Sequence, residues 1–260
     1  LKFKPDIIFH LAAQALVSES YDNPRGTLET NTFGTLNILD AAKTLKNNCS
    51  LIIITSDKCY QNKELIRAYS EDDNLGGDDF YSASKASAEI VVNAFYKSFL
   101  KKRKNIKVCT ARAGNVVGGG DWSKNRLIPD CVKKWSKKKK VLIRSPKSTR
   151  PWQHVMDALS GYLNLAYYLN KNKKLNGQSF NFSNNKIKNI SVEIFLKKFK
   201  KNWKSSNWLL SKQKNFKENK LLQLNPSKAK KLLNWKNSLN LNQTINLTSD
   251  WYLKFYKNNE

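Results

Sequence analysis

The sequence is poor in acidic residues, in cysteine, in methionine and in long apolar runs. Its 260 residues hold 20 Asp and Glu against 47 Lys and Arg, a formal net charge of +27. No apolar run approaches the roughly 18–20 residues that a membrane-spanning helix needs, and none reads as a secretory leader. The four cysteines, Cys49, Cys59, Cys109 and Cys131, are scattered without a C-x-x-C pair. That spacing speaks against a zinc site and against a disulfide framework, so no metal is expected, and the reading is of a reduced, cytoplasmic protein. The first residue is Leu1 and the single methionine is Met156, so the sequence reads as a fragment, or as a chain whose beginning was not captured.

The lysines gather in runs such as KKRKN, KKWSKKKK and FLKKFKKNWK. A nucleic-acid surface is one reading of such charge. The runs fall on predicted helix ends and loops, without the stacking aromatics of single-strand binders. A solvated lysine-rich surface is therefore preferred and no nucleic acid is expected as partner. The positive field still favours an anionic substrate.

Apolar residues make up 40% of the chain, enough for a core in one large domain or in a domain plus a smaller one. DIIFHLAA, Asp6 to Ala13, is a short apolar run ending in small residues and predicts a buried parallel strand. Gly26 to Leu45 has helical spacing through Leu28, Phe33, Leu36, Leu39 and Ala42. LIIITS, Leu51 to Ser56, predicts the next strand, and a polar loop follows to about Asp79. Tyr81 to Phe99 predicts a helix, and Ile106 to Val117 a third strand running into GGGDW. Strands alternating with helices imply βαβ units and an open parallel sheet covered on both faces.

Beyond Arg144 the pattern changes. A helix is expected from about His154 to Leu169, a brief strand at QSFNFS, and short helices at PSKAKKLLNW and NQTINLTSDWYLKFY. The expected organisation is α/β: a partial Rossmann-like parallel sheet over 1–145 and a smaller C-terminal α/β region over 146–260 that closes on the sheet's edge. Ligands of such sheets sit beyond the carboxyl ends of the strands. Here those ends are His10–Gln14, Thr55–Lys58 and Arg112–Gly118.

Two constellations lie at those ends. Tyr81 and Lys85 form a Y-x-x-x-K pair, and residues four apart share a helix face. An ammonium near a phenol is expected to lower the tyrosine pKa from about 10, so that it can serve as a base near neutral pH. In TSDK, the buried strand ends on Ser56, Asp57 and Lys58. The glycines of ARAGNVVGGGD, Gly114 and Gly118 to Gly120, do not match the G-x-G-x-x-G spacing of a dinucleotide-binding turn, and neither does any other stretch.

The order HLAAQ, TSDK, Y-x-x-x-K and AGN resembles the extended short-chain dehydrogenase/reductase family of nucleotide-sugar enzymes, from Lys4 to Tyr256. TSDKCYQN, AGNVVGGGDW, RLIPDCV and RPWQHV together look like the branch that dehydrates CDP-glucose. That resemblance implies NAD as cofactor, with Tyr81 and Lys85 flanking nicotinamide and ribose and Ser56 completing the triad. Epimerases of the family carry small residues after the Ser/Thr, and the dTDP-glucose dehydratases carry Asp-Glu. Asp57 and Lys58 stand there in this sequence. They are expected to protonate the leaving C6 hydroxyl and to take the C5 proton, the latter only if the lysine pKa falls well below about 10.4.

The same resemblance implies cofactor contacts at Leu11, Ala12, Ala13, Gln14, Thr30, Asn31 and Ala113. It implies substrate contacts at Ser20, Ser56, Asn115, Leu127, Ile128, Pro129, Arg144, Arg150 and Asn181. His10 reads as a structural strand-end residue. The helices Gly26–Leu45 and Tyr81–Phe99 are expected to form a homodimer interface. The implied role is CDP-glucose 4,6-dehydration in deoxysugar and lipopolysaccharide biosynthesis. The family's dinucleotide loop lies in a first βαβ unit ahead of PDIIFHLAA, so roughly 70–80 residues are expected to precede Leu1. A sibling dehydratase or epimerase, a catalytically incomplete fragment and a basic nucleic-acid binder stay open beside this reading.

Overall fold

The structure, a computed structural model, describes residues 3–184, 190–203, 207–211 and 221–258. The chain starts with β1 (Ile7–His10), then α1 (Val17–Asp22) and α2 (Pro24–Leu28). A π-helical turn at Glu29–Phe33 leads into α3 (Gly34–Lys43), so the expected Gly26–Leu45 helix is a rod with a bulge at Asn31. Next come β2 (Cys49–Ile54), a 3₁₀ turn at Asp57–Cys59, and α4 (Phe80–Phe95), which ends in a second π-helical turn to Leu100. Then follow β3 (Ile106–Ala113), β4 (Val116–Val117), α5 (Leu127–Trp135), β5 (Val141–Ile143), β6 (Thr149–Arg150) and β7 (Gln153–His154). The rest of the described chain is α6 (Val155–Lys171), β8 (Ser179–Phe182), β9 (Ile190–Ser191), α7 (Val192–Phe199), β10 (Trp208–Leu210), α8 (Ser227–Leu233) and α9 (Leu241–Lys257).

The main sheet has the order β1-β2-β3-β8, and every pairing is parallel. Parallel strands need covered faces, which is why β2 reads as an unbroken apolar run. Its period of two divides the run. Leu51 and Ile53 pack with Leu39, Val92, Phe95 and Val108 on the face of α3 and α4. Ile52 packs with Cys109, Ala111, Leu165 and Phe180 on the face of α6. Burial of each such side chain contributes about 1.5–3 kcal/mol.

The third strand is shorter than expected. It stops at Ala113, because Asn115 takes a left-handed conformation with φ 47°. Val116–Val117 then pairs separately with Gln153–His154. A second core gathers Trp135, Trp152, Phe195, Phe199, Trp203 and Tyr252. The two cores do not divide at 145/146. The helix α5 and strand β5, before that point, belong to the second core, whereas α6 and β8, after it, complete the main sheet. The four cysteines are buried and free. Among the described residues no helix is long and apolar enough to cross a membrane.

Candidate active site

The site forms where β2 ends. Ser56 leaves the strand in an extended conformation and caps the Asp57–Cys59 turn, its Oγ accepting from the Lys58 amide at 3.2 Å. The same hydroxyl donates to Asp57 Oδ1 at 3.0 Å. Asp79 starts α4 by accepting from the Ser82 amide at 2.9 Å and the Ser82 hydroxyl at 2.7 Å. This cap fixes the first turn of α4, so Tyr81 and Lys85 both face inward and are buried. The Ser56 hydroxyl lies close enough to the Tyr81 phenol to favour its ionised form. Thus Ser56, Asp57, Tyr81 and Lys85 gather at one sheet end, with Lys58 half-buried beside them. A cavity of about 70 Å³ adjoins Asp57 and Lys58, lined also by Tyr21, Tyr60 and Asp78.

The electrostatics differ from the sequence expectation at Tyr81. Burial pushes its phenol up to about 12, Asp57 adds to the rise, and the nearby Ser56 hydroxyl and the Arg126 charge only partly oppose it. Desolvation of the phenolate outweighs the neighbouring cations. Lys85 moves the other way: burial brings its amine down to about 8, against the pull of Cys59 and Glu89. Burial likewise raises the Asp57 carboxyl, opposed by Lys58, Ser56 and Arg150. Asp57 Oδ2 is buried and has no hydrogen-bond partner among the described residues. It lies against Gly114, where an added Cβ would stand 2.1 Å from it.

The expected substrate residues divide. Arg150 comes close enough for its charge to act on Asp57, and Asn115 sits half-buried at the break after β3. Asn181 is fully buried: its Oδ1 accepts from Tyr60 at 2.8 Å, and its Nδ2 donates to the Tyr69 carbonyl at 3.0 Å. Ser20 is also fully buried and donates back to the Val17 carbonyl at 2.8 Å within α1. Ile128 and Leu127 pack into the second core and Pro129 is buried in the first turn of α5, so their side chains support the site from behind. Arg144 lies beside Asp130.

On the cofactor side, Leu11 and Ala12 are exposed beyond β1, and Ala13 and Gln14 are half-buried, as is Ala113 at the end of β3. Asn31 braces the loop after β1. Its Oδ1 accepts from the Gln14 amide at 2.8 Å, and its Nδ2 donates to the Gln14 carbonyl at 3.0 Å and to Ser84 at 2.9 Å. Thr30 stands exposed on the π-helical turn. The residues present fit the ribose and nicotinamide half of a dinucleotide. Lys85 is a buried amine that makes no hydrogen bond among the described residues, and a vicinal diol supplies the acceptors it lacks. His10 sits near it, held toward its neutral form by burial and by the Lys85 charge.

Sequence reasoning missed three residues. Arg126 acts on Tyr81 and is itself held by Asp121 at 3.1 Å and by the Ala15 carbonyl at 3.2 Å. Glu89 and Arg112 form a buried ion pair at 2.8 Å below the site. The available signal was a glutamate four residues after Lys85 and an arginine inside an apolar strand, both charges that need a partner when buried.

Residues 1–248 match the family described as GDP-mannose 4,6 dehydratase. The chain is 39% identical over 256 residues to the CDP-glucose 4,6-dehydratase of Salmonella typhimurium, covering 96% of this chain and 71% of that protein. It is 26% identical over 279 residues to the UDP-glucose 4-epimerase of Mycoplasma genitalium, covering 97% and 77%. Its fold matches the UDP-glucuronic acid 4-epimerase of Bacillus cereus, solved with UDP-glucuronic acid and NAD, with a TM-score of 0.84 at 22% identity over 96% of this chain and 76% of that one. The Thermotoga maritima UDP-glucose 4-epimerase gives a TM-score of 0.83 at 19% identity, over 98% and 79%. A parallel α/β sheet with a site at its carboxyl end, a match along nearly the whole chain and a 39% identical relative have one consequence: this chain belongs to the GDP-mannose 4,6 dehydratase family.

Proposed function

We propose that the protein is an NAD-dependent hydro-lyase that converts CDP-glucose to CDP-4-dehydro-6-deoxyglucose and water. The observation that carries this reading is Asp57. A carboxyl whose pKa is raised by burial, with one oxygen unpartnered, sits beside the Ser56–Tyr81 pair. Oxidation and return of hydride at C4 need no such acid, whereas elimination of a hydroxide from C6 does. The likeness to the Salmonella CDP-glucose 4,6-dehydratase supports the nucleotide.

NAD+, when bound, would supply the hydride chemistry between C4 and C6, and its positive ring charge would favour the Tyr81 phenolate. The Tyr81 oxygen takes the C4 hydroxyl proton, and the Ser56 hydroxyl beside the phenol orients that hydroxyl. Lys85 offers its free donors to the ribose diol. The 4-ketone acidifies C5–H, Lys58 in its neutral form takes that proton, and Asp57 gives its own to the departing C6 hydroxyl, which leaves as water. Arg150 and Asn115 face the sugar nucleotide, where a guanidinium suits a diphosphate. The exposed Phe33, Phe80, Ile90 and Phe99 on the α3 and α4 side form the homodimer surface.

Product analysis tests the reaction. NMR of the sugar nucleotide made from CDP-glucose with NAD is expected to show a C6 methyl group and a C4 ketone. A product with C6 still hydroxylated and only C4 inverted would make the protein an epimerase.

A further inference from the structure

One helical turn beyond Lys85, the buried Glu89 collects donors from three strands. Thr55 Oγ1, just past β2, donates at 2.5 Å. Thr110 Oγ1 on β3 donates at 2.7 Å and Ser179 Oγ on β8 at 3.1 Å. Arg112 adds a bidentate pair at 2.9 and 2.8 Å. Arg112 also donates to the Tyr60 hydroxyl at 2.8 Å, and Tyr60 donates to Asn181. The network therefore grips the Asp57–Cys59 turn on both sides, by Thr55 before it and Tyr60 after it. An ion pair this deep carries a desolvation cost that pairing offsets only in part, and apolar side chains of equal volume would serve packing as well.

We propose that Glu89 is a positioning residue of this site: it locks the end of β2 to α4, so that Ser56 and Asp57 meet Tyr81, and it lays a negative charge one turn from the Lys85 amine. The inference rests on reading Tyr81 and Lys85 as the cofactor-side pair. The titratable groups that act on or feel Lys85 are His10 from the end of β1, Cys59 from the turn after β2, and Glu89 from its own helix. His10 is held toward neutrality, and burial pushes the Cys59 thiol far above its ordinary range. For Glu89, burial is outweighed by Arg112 and the hydroxyl donors, which hold its carboxyl low. Near neutral pH, Glu89 is thus the ionised anion among these groups. It favours the cationic amine that donates to a diol.

The test is a titration of the full chain carrying ¹³Cε-lysine, followed by NMR, with Lys85→Arg to assign the signal. Glu89→Gln strands a buried guanidinium, so Glu89→Gln/Arg112→Met, which removes both charges, is measured beside it. In the wild type one lysine titrates near 8, far below the ordinary value of about 10.4. In a folded variant its midpoint falls by about one pH unit, a tenfold loss of proton affinity. A midpoint unmoved in a variant with native circular dichroism would overturn the proposal, since a merely structural Glu89 would lower Tm and leave that midpoint in place. The titration needs neither cofactor nor CDP-glucose. A failure of the dehydratase reading would show in the product and leave this result standing, and the converse holds as well.

Discussion

Asp57 and Glu89 are both buried beside the end of β2, yet their surroundings drive them in opposite directions. Burial alone raises a carboxyl pKa. At Glu89, three hydroxyls and a bidentate guanidinium outweigh it, and the group stays ionised. At Asp57, the Ser56 hydroxyl, the Lys58 amide and the Lys58 and Arg150 charges do not, and one oxygen is left without a donor among the described residues. The satisfied carboxylate belongs to the scaffold. The unsatisfied one is placed to carry a proton, and the glycine opposite it leaves that oxygen its space.

The comparison can be broken at either carboxylate. Asp57→Asn keeps the shape and removes the acid, so turnover is expected to fall by about 10²–10⁴-fold. Steady-state rates with CDP-glucose check this, and unchanged turnover would take Asp57 out of the reaction. Glu89→Gln is expected to lose about 3–5 kcal/mol of stability at neutral pH, because it leaves Arg112 buried and unpaired.

Urea unfolding as a function of pH separates the two groups by sign. The stability from Glu89, whose folded pKa is depressed, is present above its unfolded pKa of about 4.3 and is lost as pH falls through the folded value. Asp57, whose folded pKa is raised, carries a stability cost that builds as pH climbs from its unfolded value of about 3.9 to its folded pKa and persists above it. Asp57→Asn should therefore gain on the wild type at neutral pH and lose that gain in acid, whereas the Glu89→Gln deficit should shrink in acid. Slopes of the same sign would contradict the contrast drawn here.

The smallest expected effect is at Gly114→Ala. The new methyl would meet Asp57 Oδ2 at 2.1 Å. Overpacking of this kind costs about 1–3 kcal/mol. Turnover should fall more steeply than Tm, and an unaffected rate would show that Asp57 tolerates displacement.

The sequence carried much of this. The unbroken apolar run of β2 and the helical spacing of Tyr81 and Lys85 are local signals; α4 starts at Phe80, one residue from the expected start, and β2 spans Cys49–Ile54, two residues ahead of the expected Leu51–Ser56. What was illegible depends on which face of an element meets which neighbour. Asn181 lies between Phe180 and Phe182, which fill the core on the α6 side, so period two turns Asn181 to the other face. There it stands across from Arg112 in the β3–β8 register and joins the Glu89 network through Tyr60. The rise of the Tyr81 pKa was hidden for a related reason: a Y-x-x-x-K spacing reports the neighbouring amine but not the burial of the phenol. The break after Ala113 and the bulge at Asn31 are likewise set by contacts between elements, with Asn31 held inward by Gln14 and Ser84.

The most direct measurement is NMR of the sugar nucleotide formed from CDP-glucose in D₂O, by the wild type and by Lys58→Ala. Elimination through Asp57 and Lys58 predicts a 6-deoxy-4-keto product with solvent deuterium at C5, and loss of that label and of dehydration in Lys58→Ala. A wild-type product that keeps its C6 hydroxyl and its C5 proton would contradict the account.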